Sequence, residues 1–367
     1  MRIMFVIPSM AGGGAERVAA NLCNYWCSEN DVRIVSIVSD KSFYDLDRRV
    51  EHCGQNLMIN RKNSFSTLRC YIKYFSKSIK FIKKNINEFK PNCVISFLVE
   101  TDILTYLAAK RNKDVLRVFS ERNDPTRRNK VKQIILKNIY KTSDMFVCQS
   151  KKIFDYYSCI PADKKVIIPN MLDDVVLPKP ELNENNHNIV SVGRLFEQKN
   201  FKLLVKSFLM SVDKLPEDSK LVIYGDGPLK EELQTMIDGE KKRNRIELVG
   251  ASKNVLDMIK SSALFVLSSD YEGFPNVLLE AMAVGLPVIS TDFYTGVAKE
   301  LIKKRNGILV PVGDANAMSN AIVKIMNSDG ERKKMRRNNI SVRDRYNVKM
   351  IGDLWLTNFS RLMDKER

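Results

Sequence analysis

Residues Asp270–Ile289, DYEGFPNVLLEAMAVGLPVI, decide the reading of this chain. An apolar strand, Ala263–Ser268, runs into them. Glu272 stands in the connecting loop, Gly273 and Pro275 precede a helical pattern, and Glu280 lies inside that helix. A Gly-Leu-Pro turn then leads into the next strand. Pro275 falls at the first helical turn, where its missing N–H costs little. The amides of Phe274, Asn276 and Val277 are thereby expected at a helix N-terminus, which seats anions. Glu280 shares their helix face, and a carboxylate there accepts hydrogen bonds from hydroxyls. The plainer alternative makes Glu272 a surface charge and Glu280 a partner for a base. Glu280 resists it, because Leu278, Leu279, Ala281 and Met282 surround it and buried carboxylates need partners. An anion seat beside hydroxyl-reading carboxylates makes a nucleotide-sugar site the first hypothesis.

Working outward, apolar runs alternate with helical patterns along the whole chain. In the first half, strands are predicted at Ile3–Ile7, Val32–Val38, Cys93–Leu98, Val115–Phe119, Met145–Gln149 and Val166–Ile168, with helices at Ala15–Cys27, Phe65–Asn87, Asp102–Lys110 and Arg128–Thr142. Near-continuous apolar strands belong to parallel sheets covered on both faces, so the fold class is α/β and doubly wound. The stretch 173–188, with Pro178, Pro180 and a polar run, breaks the pattern and is expected to link two domains, 1–172 and 189–345. The second domain alternates again. Residues 346–367 form a final helix. Two such units facing each other across a cleft suit a two-part substrate.

Composition narrows the function. The chain has 367 residues, 44% of them apolar, which supplies two cores. No apolar run reaches the length of a membrane span, and Met1–Arg17 read as a strand and turn, not a signal peptide. Seven scattered cysteines and two histidines, His52 and His187, match no metal-ligand spacing, so no metal is expected and a reducing cytoplasm is. The net charge is +17, with 26 basic and 14 acidic residues in the first 150. Such a surplus draws anionic partners.

Three further loops carry candidate chemistry. Ser9–Gly14, SMAGGG, lets backbone approach a ligand through Gly12, Gly13 and Gly14, although it matches neither the dinucleotide nor the P-loop glycine pattern. Gly193–Lys199, GRLFEQK, follows a strand, and its Arg194 and Lys199 can converge on one pyrophosphate, where they would stabilise a departing nucleoside diphosphate. Gly225–Pro228, GDGP, makes a tight turn into a helix. The pair Asp45 and Asp47 imitates a metal–diphosphate motif, but Arg48 and Arg49 follow directly, and an internal ion pair is the expected outcome.

Taken together these residues resemble the retaining family 4 glycosyltransferases of GT-B fold, over nearly the whole chain. Glu272 and Glu280 fit the family's Glu-x7-Glu motif; Gly193-Arg194 with Lys199, Gly225–Pro228 and Asn306–Pro311 fit its other signatures. The resemblance implies a nucleotide-sugar donor held by the second domain, with no other cofactor. Glu272 would contact the hexose, Glu280 the ribose, Arg194 and Lys199 the diphosphate, and Gly12–Gly14 the donor phosphates or the acceptor. Many relatives place a histidine in the first domain's share of the cleft. The matching segment here, Phe119–Pro125 (FSERNDP), has none; a subgroup making bacterial surface polysaccharides carries Ser-Glu-Arg-Asn there, which offers Glu121 or Arg122 to the reaction centre.

The donor is expected to be a UDP sugar, with GDP-mannose as the rival. The acceptor is expected to be a polyprenyl-diphosphate-linked saccharide at the inner face of a bacterial plasma membrane. Phe65, Leu68, Ile72, Phe75, Ile79, Ile82 and Ile86 recur at helical spacing among lysines. Their apolar side is expected either on the sheet or on an anionic membrane surface. A non-catalytic carbohydrate-binding protein is the more remote alternative. Nucleic-acid binding fits the charge, but no recognition motif supports it.

Overall fold

The computed structural model describes residues 1–57, 64–173, 177–181, 183, 185–303 and 305–365, with backbone alone at 64–69 and 365. Contacts divide the chain into two compact units, Met1–Met171 with Val348–Arg367, and Leu172–Asn347.

The first unit contains strands β1 (Arg2–Ile7), β2 (Asp31–Ser36), β3 (Val50–Gly54), β4 (Cys93–Phe97), β5 (Leu116–Ser120), β6 (Met145–Cys148) and β7 (Lys165–Ile167). Between them run helices α1 (Gly14–Trp26), α2 (Ser64–Phe89), α3 (Val99–Ala109), α4 (Lys130–Lys141) and α5 (Lys151–Tyr156). The strands pair in parallel in the order β3-β2-β1-β4-β5-β6-β7. Strand side chains alternate between faces. Ile3, Phe5 and Ile7 therefore join α1 in one core, while Met4 and Val6 join Tyr74, Ile82 and Ile86 of α2 in another.

The second unit contains β8 (Ile189–Val192), β9 (Leu221–Tyr224), β10 (Ile246–Gly250), β11 (Leu264–Leu267), β12 (Val288–Thr291) and β13 (Gly307–Val310). Its helices are α6 (Phe201–Ser211), α7 (Lys230–Asp238), α8 (Val255–Ile259), α9 (Asn276–Ala283), α10 (Val297–Leu301), α11 (Ala315–Met326), α12 (Asp329–Ile340) and α13 (Val342–Arg345). The sheet is again parallel, in the order β10-β9-β8-β11-β12-β13. A last helix, α14 (Val348–Lys365), belongs to the first unit.

Two elements were not legible in advance. Strand β3 reads VEHCG and is mostly half-exposed, as an edge strand is, so it carries no apolar run. Helix α5 is six residues long, too short for a helical repeat, and is marked only by the Ser150 side chain accepting from the Ile153 amide. The described part of 173–188 packs on the second unit. Leu177 packs on one of its cores, the Pro178 carbonyl accepts from Arg343, and the Glu181 carbonyl accepts from Arg336 at 3.2 Å. Of the apolar residues expected along helix α2, the side chains of Phe65 and Leu68 lie outside the described residues. The rest shows which way α2 faces. Ile82 and Ile86 are buried against the sheet and Phe75 and Ile79 partly so, while Lys73, Lys77, Lys80, Lys83 and Lys84 are exposed. Most of its apolar side is thus taken by the core, with Ile72 as the outward exception at 63% exposure. Among the described residues no helix is long and apolar enough to cross a membrane.

Aromatic packing joins α14 to α1. Trp355 is fully buried with its ring 6.2 Å from Trp26 and 5.8 Å from Phe359, and the Trp26 indole donates to the Gly352 carbonyl at 3.1 Å. Trp355→Ala is expected to cost about 3–5 kcal/mol in urea unfolding, the range for emptying a large aromatic site. An unchanged midpoint would show that this helix does not complete the core.

Candidate active site

In the second sheet the chain steps outward from β8 to β9 and β10, then crosses back to place β11 on the other side of β8. The order reverses between β8 and β11, and open parallel sheets bind ligands at such a point, beyond the carboxyl ends of the strands. The loops after these two strands are Gly193–Asn200 and Ser268–Pro275. They are tied together. Lys199 Nζ lies 2.6 Å from Glu272 Oε1, with 15% and 9% of the two side chains exposed. Gln198 donates to Glu272 Oε2 at 3.1 Å and to the Tyr271 carbonyl at 2.9 Å, and the Ser269 hydroxyl donates to Glu272 Oε1 at 2.8 Å. Backbone joins in, from the Asp270 amide to the Gln198 carbonyl at 2.9 Å and from the Ser268 hydroxyl to the Lys199 carbonyl at 2.8 Å. A desolvated ion pair persists only when further hydrogen bonds satisfy it, and this one has them.

The third loop braces the first. The Gly193 amide donates to the Tyr224 carbonyl, and the Leu195 amide to the Asp226 carbonyl, each at 2.9 Å. A Cβ on Gly225 would lie 1.8 Å from the Gly193 carbonyl oxygen, and one on Gly227 would lie 2.6 Å from that of Leu195. These glycines permit the two loops to touch. Arg194, on the same loop as Lys199, is exposed, stacks over Phe196 at 5.2 Å, and forms no ion pair among the described residues.

Helix α9 begins directly after Pro275, whose carbonyl accepts from the Leu278 and Leu279 amides at 3.0 and 3.3 Å, so Asn276 and Val277 open its N-terminus. Glu280 is 7% exposed on that helix, and Thr295 caps the Gly273 carbonyl at 3.1 Å. The Phe274 side chain packs into the core, which leaves its backbone as the part available to a ligand.

The structure thus brings Gly193, Arg194, Lys199, Gly225, Glu272, Gly273 and the start of α9 together in the second unit. Gly12, Gly13, Gly14 and Glu121 belong to the first. There the strand order reverses between β1 and β4. Gly13 caps α1, and its Cβ position lies 2.1 Å from Glu16 Oε2, so the Glu16 carboxylate folds back over the glycine loop. After β4, Leu98 adopts φ 75° and ψ 142°, a strained conformation for a leucine, at the same reversal point. No local sequence pattern marks it.

Glu121 sits 2% exposed in the loop after β5. Arg128 grips both of its oxygens at 2.5 Å, the Tyr157 hydroxyl donates to Oε2 at 2.5 Å, and the Asn123 amide to Oε1 at 3.0 Å. Its carboxylate is thus held by Arg128, Tyr157 and the Asn123 amide in the loop after β5. Neighbouring Arg122 is the more unusual group. It is 7% exposed, its Cζ lies over the Phe97 ring at 3.6 Å, and it donates to Asn170 at 2.6 Å, yet its Nε and Nη2 are buried without a hydrogen-bond partner. Burial pulls its pKa down to about 9. The Asp45/Asp47 motif is closed by Arg49, which holds both oxygens of Asp47 at 2.9 and 2.8 Å.

Family models match both units. Residues 12–175 match the model described as Glycosyltransferase Family 4, and residues 175–342 the model described as Glycosyl transferases group 1. An uncharacterized glycosyltransferase from Methanocaldococcus jannaschii is 32% identical over 72% of this chain and 71% of its own. The chain belongs to the GT-B glycosyltransferases of family 4. This glycosyltransferase is also 27% identical, over 97% of both chains, to the Campylobacter jejuni α-1,4-N-acetyl-D-galactosaminyltransferase that acts on GalNAc-α-(1->4)-GalNAc-α-(1->3)-diNAcBac-PP-undecaprenol. Its fold matches HepE of Anabaena, crystallised in complex with UDP, with a TM-score of 0.77 over 98% and 100% of the two chains at 16% identity.

Two tests follow from the geometry. Gly225→Ala is expected to push the Gly193 loop away, lowering stability by about 2 kcal/mol or more and abolishing nucleotide binding in a thermal-shift titration; wild-type binding would show that the loop contact is dispensable. The second concerns Asp102, which is 1% exposed and accepts from Ser96 at 2.5 Å and from Tyr140 at 2.7 Å. Burial raises its pKa to about 8. The unfolded carboxyl ionises near pH ~4, so between there and about 8 the unfolded chain releases a proton that the folded one keeps, and stability falls as pH rises. Asp102→Asn is expected to flatten that slope in urea titrations. A slope unchanged in the variant would show that Asp102 is ionised in the fold.

Proposed function

We propose that this glycosyltransferase moves a hexose or N-acetylhexosamine, with retention of configuration, from a nucleotide sugar to a polyprenyl-diphosphate-linked saccharide during bacterial surface glycan synthesis. The donor proposed first is a UDP sugar. The observation that carries the reading is the Lys199–Glu272 pair, 2.6 Å apart at the switch point beside the start of α9. One cation and one carboxylate held in contact fit a ligand whose diphosphate and sugar are covalently adjacent.

Lysine has three N–H donors, and one is used on Glu272. The other two, with Arg194 and the first amides of α9, would hold the diphosphate. Glu272 would accept from hexose hydroxyls and Glu280 from the ribose. As the bond between the anomeric carbon and the diphosphate oxygen breaks, negative charge gathers on the leaving group, where Lys199 and Arg194 stabilise it. The acceptor oxygen attacks from the same face, and its proton passes to the departing phosphate oxygen. Such a front-side route depends on positioning, not on a strong side-chain base. The cationic loop does the electrostatic work a metal would do, so transfer is proposed to be metal-independent.

The acceptor class rests on similarity to the Campylobacter enzyme, whose name specifies an undecaprenyl-diphosphate glycan, and the donor class on similarity to HepE, crystallised with UDP. A place at the inner face of the plasma membrane follows from such an acceptor.

A panel of nucleotide sugars, GDP-mannose included, screened by thermal shift and then by transfer, tests the proposal. Glu272→Ala is expected to lower transfer on the order of 10²-fold or more through lost positioning, and Glu280→Ala to weaken donor binding about tenfold. Wild-type turnover and donor affinity in both variants would remove these residues from the site.

A further inference from the structure

Helix α4 is KVKQIILKNIYK, and the structure divides it unexpectedly. Leu136, Ile139 and Tyr140 are buried and fix it to the first unit. Val131, Ile134 and Ile135 point the other way and are 67%, 62% and 45% exposed. They stand at i, i+3 and i+4, so they form one contiguous apolar patch on the outward face. Nowhere else among the described residues do three exposed large apolar side chains fall within five consecutive positions. The helix does not need them for its own stability, because Asn129 caps its N-terminus on the Lys132 amide and the buried face anchors it.

Charge surrounds the patch. Lys130, Lys132 and Lys141 are exposed, and Lys137 leans over the Tyr156 ring at 4.7 Å. From Thr126 to Lys141 there are six basic residues and no acidic one. A protein partner would have to meet an apolar centre with a uniformly negative rim. A bilayer containing anionic lipid supplies both at once, an acyl boundary for Val131, Ile134 and Ile135 and headgroup charge for the lysines.

We propose that the outward face of α4 docks this protein on an anionic membrane surface, with Val131, Ile134 and Ile135 entering the headgroup boundary and Lys130, Lys132 and Lys141 resting on lipid phosphates. The purpose of such docking rests on the lipid-linked acceptor proposed above, but the surface itself is independent of donor and acceptor.

The test is flotation of the whole protein with phosphatidylglycerol–phosphatidylcholine vesicles, without donor or acceptor. The wild type is expected to bind, to be released by salt, and to ignore vesicles of phosphatidylcholine alone. The triple variant V131S/I134S/I135S, with an unchanged melting curve, is expected to bind at least ~10-fold more weakly, since lost apolar insertion leaves only headgroup attraction. Undiminished binding of that variant overturns the proposal, as does loss of binding only when Lys73, Lys77, Lys80 and Lys84 of α2 are neutralised. A wild type that ignores the vesicles but dimerises through this face, with the dimer lost in the triple variant, also overturns it. Transfer to a short water-soluble acceptor separates the two proposals. The triple variant is expected to keep it in full, whereas its absence in the wild type would count against the acceptor reading and leave vesicle binding untouched.

Discussion

The ion pair between Lys199 and Glu272 organises the second unit's site. It joins loops that leave adjacent strands in the same direction, and it does so where the sheet's order reverses. The carboxylate is not left for water to satisfy. Gln198 and Ser269 complete the carboxylate, and hydrogen bonds from Asp270 and Ser268 hold the backbones that carry the pair. Breaking a half-buried pair by removing one partner strands the other charge, so the two loops hold or fail together. The Gly193–Gly225 contact adds a third loop to the same assembly. A substrate entering it meets groups already in position, and preorganisation of this kind is how electrostatic stabilisation avoids reorganisation at the moment of reaction.

The first unit is built on the same topology but uses its polar groups differently. Glu121, Arg128 and Tyr157 close on one another, and Asp102, Ser96 and Tyr140 form a second buried set nearby. Burial pushes the Tyr140 and Tyr157 hydroxyls well above the usual phenol range, so both remain donors. Such sets are costly unless fully satisfied, and they hold the loop after β5 in one shape. Arg122, with two buried donors unmet, is the exception within that loop.

Much of this was legible in the sequence, for a physical reason. Buried parallel strands must be apolar on both faces, so β1, β4, β8 and β11 announce themselves, and loops at their carboxyl ends must carry the chemistry. Glu272 and Lys199 stand on such loops. Their direct contact could not be read in advance, because pairing across neighbouring strands depends on strand order, which no local pattern reveals. The partners of Glu121 were hidden for the same reason: Arg128 and Tyr157 stand 7 and 36 residues away, and only the fold brings them to it. Strand β3 escaped because an edge strand needs no apolar face, and the outward patch of α4 because its exposed and buried apolar residues look alike in sequence.

The central claim is that a nucleotide sugar's diphosphate and hexose lie on either side of one lysine–glutamate contact. A crystal structure of the protein with an unhydrolysed nucleotide-sugar analogue tests this most directly. The expected result is density for the diphosphate on Lys199 Nζ and the first turn of α9, with hexose hydroxyls on Glu272. Density for the nucleotide at another place, with the contact between Lys199 and Glu272 untouched by ligand, would contradict it.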